Sequence, residues 1–178
     1  MSVVKSKRGL SKFEVLHHAS KTRVELLKLI IRDFGYHKKR VNPYYKNKRA
    51  KTKEELLTDQ QRIDKEDKFF QAFLEDESAY MISKVRELTQ NISMANSIYP
   101  TILAECDERR IFQDRAIGNC FQLIDELQFI ITSLPVDINK YDTYTEMLEQ
   151  EIKLLKGWRQ SDNKTRKRIT APSTATSV

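Results

Sequence analysis

The residues best suited to catalysis or metal binding are few in this chain. Its 178 residues include three histidines and two cysteines. His17 and His18 are adjacent, so on a helix their side chains point about 100° apart and would not hold one ion. Cys106 and Cys120 are about 21 Å apart on a straight helix, which excludes a disulfide between them. With no HExxH motif, phosphate loop or nucleophile elbow, the sequence predicts no enzyme, no catalytic residue, no metal and no cofactor.

One pair of residues matches a known catalytic spacing. Arg32 and His37 form an R-x4-H pattern, which resembles the ribonuclease motif of the HEPN helical domains. The resemblance implies cleavage of RNA through its 2′-hydroxyl at a dimer cleft. Gly35 is expected to end the helix between the two residues, so we favour a chance match. A HEPN-type ribonuclease is kept as an alternative function.

Four segments carry apolar residues three and four positions apart, the spacing of a helix with one buried face. No strand alternation, internal repeat or coiled-coil heptad competes with that pattern. The predicted fold class is all-α: an antiparallel four-helix bundle with a basic loop insertion and a disordered basic tail. The predicted helices run from Ser11 to Gly35, from Thr52 to the Tyr99-Pro100 corner with a bend near 64–67, from about 101 to 133, and from about 140 to 159.

Length and composition set the domain organisation. Four glycines and four prolines are too few for a turn-rich β-barrel, and no apolar run approaches a membrane span. Two cysteines do not make a disulfide scaffold, and a cytoplasmic protein is expected. The predicted divisions are a flexible basic N-terminus over 1–10, a helical bundle domain over 11–160 and a disordered tail over 161–178.

The net charge of +7 is unevenly distributed along the chain. Residues 1–12 carry +4, residues 36–53 carry +8 and residues 161–178 carry +3, which leaves −8 on the rest. A single basic run is usually a solvated loop, but three of them favour a protein that binds a polyanion. Three tyrosines in or beside the second run could stack on unpaired nucleotides: Tyr36, Tyr44 and Tyr45.

Arginines form a further basic group inside the third helix. Arg109, Arg110 and Arg115 could present a face for phosphate, or they could pair locally, as Asp107 with Arg110 and Glu105 with Arg109. Spacing alone favours the local pairs. The full set of predicted RNA-binding residues is Lys38, Lys39, Arg40, Lys46, Lys48, Arg49, Arg109, Arg110, Arg115, Lys164, Arg166, Lys167 and Arg168.

Several segments have the most distinctive sequences of the chain, among them FEVLHHA (13–19), LIIRDFG (29–35), ERRIFQDRAIGNC (108–120), LPVDINKY (134–141) and LKGWRQSDNK (155–164). Together they resemble the accessory variability determinant family of diversity-generating retroelements. The resemblance implies a non-catalytic four-helix bundle that binds a reverse transcriptase and its structured template RNA and supports mutagenic retrohoming. It also implies a homo-oligomer, with a pentamer as the family precedent. The long basic 36–53 segment and the basic tail depart from the compact family pattern.

Two further hypotheses concern packing and function. Trp158, beside Gly157 near the end of the fourth helix, is interpreted as a lid on the core, with an interface anchor as the alternative. The last alternative function is a protein-only structural scaffold of another mobile element. Such a scaffold would show no salt-sensitive binding to nucleic acid.

Overall fold

The fold is all-α, as predicted, in a computed structural model that describes residues 10–36 and 53–171. No strand occurs in those two ranges, and none of their helices is long and apolar enough to cross a membrane. Short 3-10 turns at Asp33–Gly35 and Ile138–Lys140 follow the first helix and precede the last. The four helices are α1 (Leu10–Ile31), α2 (Lys53–Ser97), α3 (Leu103–Ser133) and α4 (Asp142–Thr170).

The helices form a closed ring around one apolar core. Helix α1 packs on α2 and α4, and α3 packs on the same two helices from the opposite side. Helix α2 is continuous through residues 64–67, where a bend was expected. The predicted basic loop insertion lies outside the described residues.

Buried positions along α3 follow a heptad spacing that the sequence analysis did not detect. Side chains with little exposure recur at alternating steps of four and three residues, which is the 3.5-residue period of helices that pack side by side. Two of these inner positions hold Arg109 and Gln113, and the inner face of α4 includes Glu151. Polar residues at inner positions hid the hydrophobic repeat. The inner α3 positions are Arg109, Gln113, Ala116, Cys120, Leu123, Leu127 and Ile130, and Leu134 continues the spacing just after the helix.

The end of α1 is a strained turn. Asp33, Phe34 and Gly35 have positive φ angles of 48°, 55° and 75°, a region that costs a non-glycine residue about 1–2 kcal/mol. The Phe34 side chain is fully buried, and its carbonyl accepts a 2.6 Å hydrogen bond from the Tyr141 hydroxyl. These contacts offset the strain. The helix therefore ends before Gly35, as that glycine predicted.

The prediction of a disordered tail from residue 161 is wrong over the ten residues to Thr170. Helix α4 continues there because its side chains bond to α3. The Asp162 carboxylate accepts hydrogen bonds from Arg109 Nη1 at 3.0 Å and from Gln113 Nε2 at 2.8 Å. One turn further, Arg166 donates to Asp107 on α3. These partners are about 50 residues away in sequence, so local composition did not reveal them.

Arg109 is the centre of this network. Its side chain is 2% exposed, its Nε donates to the Ala95 carbonyl at 3.0 Å, and its guanidinium lies 5.4 Å from the centroid of the Trp158 ring. Arg109 thus joins the end of α2 and the second half of α4 to the start of α3. Trp158 is 1% exposed, which confirms its interpretation as a core lid.

Replacing Arg109 with alanine should lower the free energy of unfolding by about 3 kcal/mol, the lower end of the range for breaking a buried ion pair. The lower end applies because the Asp162 side chain is 19% exposed and keeps its bond from Gln113. The Ala95 carbonyl would also lose its donor. Urea unfolding followed by circular dichroism measures the change. Arg115→Ala is the matched control, since Arg115 is exposed on the same helix. Its effect should stay within about 0.5 kcal/mol, and equal losses in both variants would contradict a structural role for Arg109.

Candidate nucleic-acid interface

The predicted RNA-binding residues divide into three groups. The first group was predicted from the basic loop and lies outside the described residues, as does His37. Its role stays a prediction. The second group lies on α3 and the third on α4, and both are in the described chain. The loop group, named the loop bases below, consists of Lys38, Lys39, Arg40, Lys46, Lys48 and Arg49.

The α3 arginines do not form one surface. Arg109 is buried against protein groups, so we remove it from the predicted phosphate-binding set. Arg110 donates to the Asn163 side chain at 3.2 Å and lies 4.0 Å from the Asp114 carboxylate. Arg115 is exposed, with its guanidinium 5.6 Å from the centroid of the Phe112 ring.

The two expected ion pairs within α3 are replaced by other contacts. Glu105 does not pair with Arg109. Its carboxylate accepts hydrogen bonds from the Thr101 backbone and hydroxyl and from the Ile102 backbone, which lowers its pKa. Glu105 therefore caps the start of α3. Asp107 bonds to Arg166 of α4 and not to Arg110.

A line of exposed cations occupies the second half of α4. Lys164, Lys167 and Arg168 were predicted from the basic tail, and Lys153 and Lys156 join them on the same face. At 100° per residue the five positions fall within an arc of about 120°, and they span about 22 Å along the helix. We call these five residues, Lys153, Lys156, Lys164, Lys167 and Arg168, the α4 basic stripe.

The first half of α4 has the opposite charge on that same face. Asp142, Glu146 and Glu149 are exposed and fall within the same arc. Acids near the start of a helix and bases near its end both complement the helix dipole. The outer face of α4 therefore changes from acidic to basic along its length, and a polyanion would be attracted only to the second half.

Ion pairs along the α3–α4 seam hold the stripe in place. Arg159 and Arg166, two turns apart on α4, bond to Asp114 and Asp107 of α3. These two α4 arginines are occupied by carboxylates, so Arg166 is better placed as an anchor than as a phosphate ligand. Within the described ranges, none of the five stripe residues has an ion pair, and Lys156 Nζ lies 5.9 Å from the centroid of the Phe121 ring. The stripe thus presents uncompensated charge from a fixed helix.

Sequence reasoning missed Lys153 and Lys156 because they lie outside the predicted tail. The signal that could have found them is their helical register with Lys164 and Lys167. That register has meaning only if one helix runs through residue 161, which the predicted helix end near 159 excluded. An incorrect boundary therefore divided one surface into two unrelated parts.

Two of the histidines and both cysteines lie among the described residues. His17 is exposed and His18 is half-buried. Both cysteines are free, and burial raises the pKa of the Cys120 thiol. Cys106 is half-buried. No cluster of three or more metal-ligating side chains occurs in the described chain.

A buried carboxyl group contacts one of these histidines across the α1–α4 interface. Glu151 is 0% exposed, and one of its oxygens lies 2.6 Å from His18 Nδ1. Burial raises the pKa of Glu151 to about 8 and lowers the pKa of His18, whose charged neighbours are Lys21, Glu14 and His17. Both shifts favour a protonated carboxyl that donates to a neutral imidazole at neutral pH.

The protein should lose stability as the pH rises from 6.5 towards 8. Unfolding releases the proton of Glu151, whose pKa falls from about 8 towards 4.5, so the unfolded state binds fewer protons in this window. The lowered pKa of His18 gives the opposite slope, which is largest below 6.5 and fades above it. Urea unfolding at several pH values should show a decline of up to about 1.4 kcal/mol per pH unit.

Glu151→Gln should remove most of that decline above pH 7, because the amide mimics the protonated carboxyl without titrating. A smaller slope below pH 7 should remain from Glu77, because burial raises its pKa to about 7. Glu149→Gln is the control, since Glu149 is exposed two residues earlier, and it should keep the decline. A wild-type protein with constant stability between pH 6.5 and 8 would show that Glu151 is ionised in the fold.

Comparisons with known proteins give no identification. No protein-family model, curated protein or solved structure matches this chain.

Proposed function

We propose that this protein is a non-catalytic accessory protein that binds RNA, and that it supports cDNA synthesis and mutagenic retrohoming by a reverse transcriptase in a diversity-generating retroelement. The observation that carries the RNA-binding part is the α4 basic stripe. Its five cations are exposed, lie on one face and are held by a helix anchored to α3. The retroelement setting rests on the resemblance of the quoted sequence segments.

Phosphate binding is the chemistry that this surface favours. Each phosphate that a lysine or arginine neutralises releases condensed counterions, which drives binding at moderate salt. Cations on an ordered helix lose less backbone freedom on binding than cations on a loop. The loop bases and the basic N-terminus would add to the same electrostatic term. Contacts to phosphates do not depend on the base sequence. They suit a protein that holds a structured template RNA by its sugar–phosphate backbone.

The proposed architecture is an antiparallel bundle that assembles as a homo-oligomer, with a pentamer by family precedent. Cross-helix contacts support the antiparallel order, because a later position on one helix contacts an earlier position on its neighbour. Examples are Phe73 with Phe129 and Asn91 with Asn119, between α2 and α3.

Exposed apolar side chains on α3 support self-association. Ile111, Phe121 and Phe129 are each about half exposed, at 51%, 49% and 48%. Helix–helix contact between copies would cover them, and a ring of copies would repeat the α4 basic stripe around its surface. Repetition multiplies weak phosphate contacts by avidity. The reverse transcriptase would be the second protein partner, in the cytoplasm.

The first test of RNA binding replaces three stripe residues with neutral glutamine: Lys164, Lys167 and Arg168. Binding to a fluorescent oligouridylate of about 30 nucleotides is measured by anisotropy from about 50 to 300 mM salt. If each cation contacts one phosphate, the slope of log affinity against log salt should become shallower by about 2, since single strands give about 0.7 per contact. Affinity at low salt should also fall.

A control with the same charge change separates the stripe from a general effect of net charge. Lys21, Lys65 and Lys68 are exposed on α1 and α2, and their replacement by glutamine should leave the slope within about 0.7 of the wild type. Thermal unfolding checks that both variants are folded. An equal change in the two variants would contradict a localised interface on α4.

Neutralising the six loop bases tests the contribution predicted from the sequence. We expect weaker binding and a shallower salt slope, with little change in melting temperature, because an acid-free polar segment buries little apolar surface. The same anisotropy series measures it. An unchanged salt slope in a folded variant would show that the loop bases do not contact RNA and that the segment is only a solvated insertion.

The same experiments discriminate the alternative functions. Loss of labelled RNA in the wild type, abolished by His37→Ala, would favour a HEPN-type ribonuclease. Absence of salt-sensitive binding would favour a protein-only scaffold. For the retroelement setting, the informative observation is a neighbouring reverse transcriptase gene with adjacent near-identical repeats.

A further inference from the structure

A pocket lies at the corner between the end of α1 and the start of α4, away from the α4 basic stripe. Its volume is about 420 Å³, within the range of small-molecule sites. The strained Asp33–Gly35 turn forms one side, and the chain around the Ile138–Lys140 turn forms the other. The residues that line this corner pocket include Arg32, Asp33, Tyr36, Asp137, Lys140 and Tyr144.

Aromatic rings at fixed positions form much of the wall. Tyr36 stacks on Phe70 of α2 with ring centroids 5.5 Å apart, and Tyr144 meets Tyr141 edge-on at 6.4 Å. Tyr36 and Tyr144 are half-buried, so each ring is supported by protein on one side and retains exposed surface. Supported aromatic rings of this kind stack on planar heterocycles.

Four charged side chains surround these rings. Arg32 and Lys140 are exposed cations, and Asp33 and Asp137 supply carboxylates. Lys140 Nζ lies 4.0 Å from an Asp137 oxygen, a contact loose enough for the lysine to turn to a ligand. The formal charge of the four groups cancels. A polyphosphate would therefore be attracted weakly, and a purely apolar ligand would have to desolvate charged groups without replacing their hydrogen bonds.

The strained turn supports a ligand site here independently of the pocket's shape. Asp33 and Phe34 keep positive φ angles of 48° and 55°, although neither is glycine. Such conformations persist only where the surrounding structure fixes them, and they cluster at ligand sites. Here the buried Phe34 ring and the bond from Tyr141 to the Phe34 carbonyl fix the turn, which brings Arg32, Asp33 and Tyr36 to one pocket.

We propose that the corner pocket binds a single nucleotide. A purine ring would stack on Tyr144, Lys140 and Arg32 would contact one phosphate, and the carboxylates of Asp33 and Asp137 would accept hydrogen bonds from ribose hydroxyls. The nucleotide could be free or could be an unpaired residue of an RNA strand, since both offer the same base, sugar and phosphate. This site is separate from the α4 basic stripe and does not require it.

The test is calorimetric titration of the protein with AMP and with adenosine. Tyr144→Leu keeps an apolar side chain but removes the ring. It should weaken the binding of both ligands about tenfold, which is the effect of one lost stacking contact. Tyr80→Leu is its control, because Tyr80 is 40% exposed on α2 and does not line the pocket.

A second variant tests the phosphate contact without touching the core. Lys140 is exposed. Lys140→Gln should weaken the binding of AMP about three- to fivefold, the size of effect expected for a solvated ion pair. The binding of adenosine should not change. Lys21→Gln is the matched control and should change neither ligand. Thermal unfolding confirms that each variant is folded.

An RNA arm identifies the source of the nucleotide. It uses an oligoadenylate of about six nucleotides and a protein in which Lys164, Lys167 and Arg168 are replaced by glutamine. With the stripe neutralised, the binding that is measured reports on the pocket alone. Binding of the oligonucleotide alone, weakened by Tyr144→Leu, supports an RNA residue as ligand, whereas binding of AMP supports a free nucleotide. No binding of AMP or oligonucleotide at millimolar concentration, or binding unaffected by Tyr144→Leu, would overturn the proposal.

Discussion

The ion pair between the buried Arg109 and the half-buried Asp162 holds the second half of α4 against α3. Arg109 is enclosed by the Ala95 carbonyl, the Trp158 ring and the Asp162 carboxylate. A buried guanidinium without its carboxylate would be strongly destabilising, so the pair requires α4 to extend at least to residue 162. Once α4 reaches that point, the remaining bonds to α3 extend it to Thr170. The position of the α4 basic stripe follows from this one contact.

Polar residues inside the bundle act as specific links between helices. Apolar side chains at heptad positions would stabilise several arrangements of four helices, because hydrophobic contact has little directional preference. Hydrogen-bonded pairs have one geometry each: Glu151 with His18 joins α4 to α1, and Asn119 with Asn91 joins α3 to α2. We infer that these pairs fix the register of neighbouring helices, as buried polar residues do in coiled coils.

The two ends of α4 have different surface chemistry. Near its start, aromatic rings and balanced charges form an enclosed pocket. In its second half, lysines on an open helix face form a surface without a cavity, suited to a polymer backbone. The acidic side chains between them, such as Glu146 and Glu149, would repel a polyanion and confine it to the second half. One rigid helix therefore separates a proposed small-ligand site from a proposed polymer site.

The sequence by itself determined the all-α class, the number of helices, the corner at Pro100 and the stop at Gly35, because helical periodicity and glycine and proline chemistry are local. It also located Lys164, Lys167 and Arg168 as exposed bases. It did not determine the length of α4, the burial of Arg109 or the inclusion of Lys153 and Lys156 in one surface. Those features depend on contacts between residues about 50 positions apart, such as Arg109 with Asp162. Only tertiary packing decided whether an arginine met a carboxylate in the core or water at the surface, since the two environments leave the same local pattern of charge.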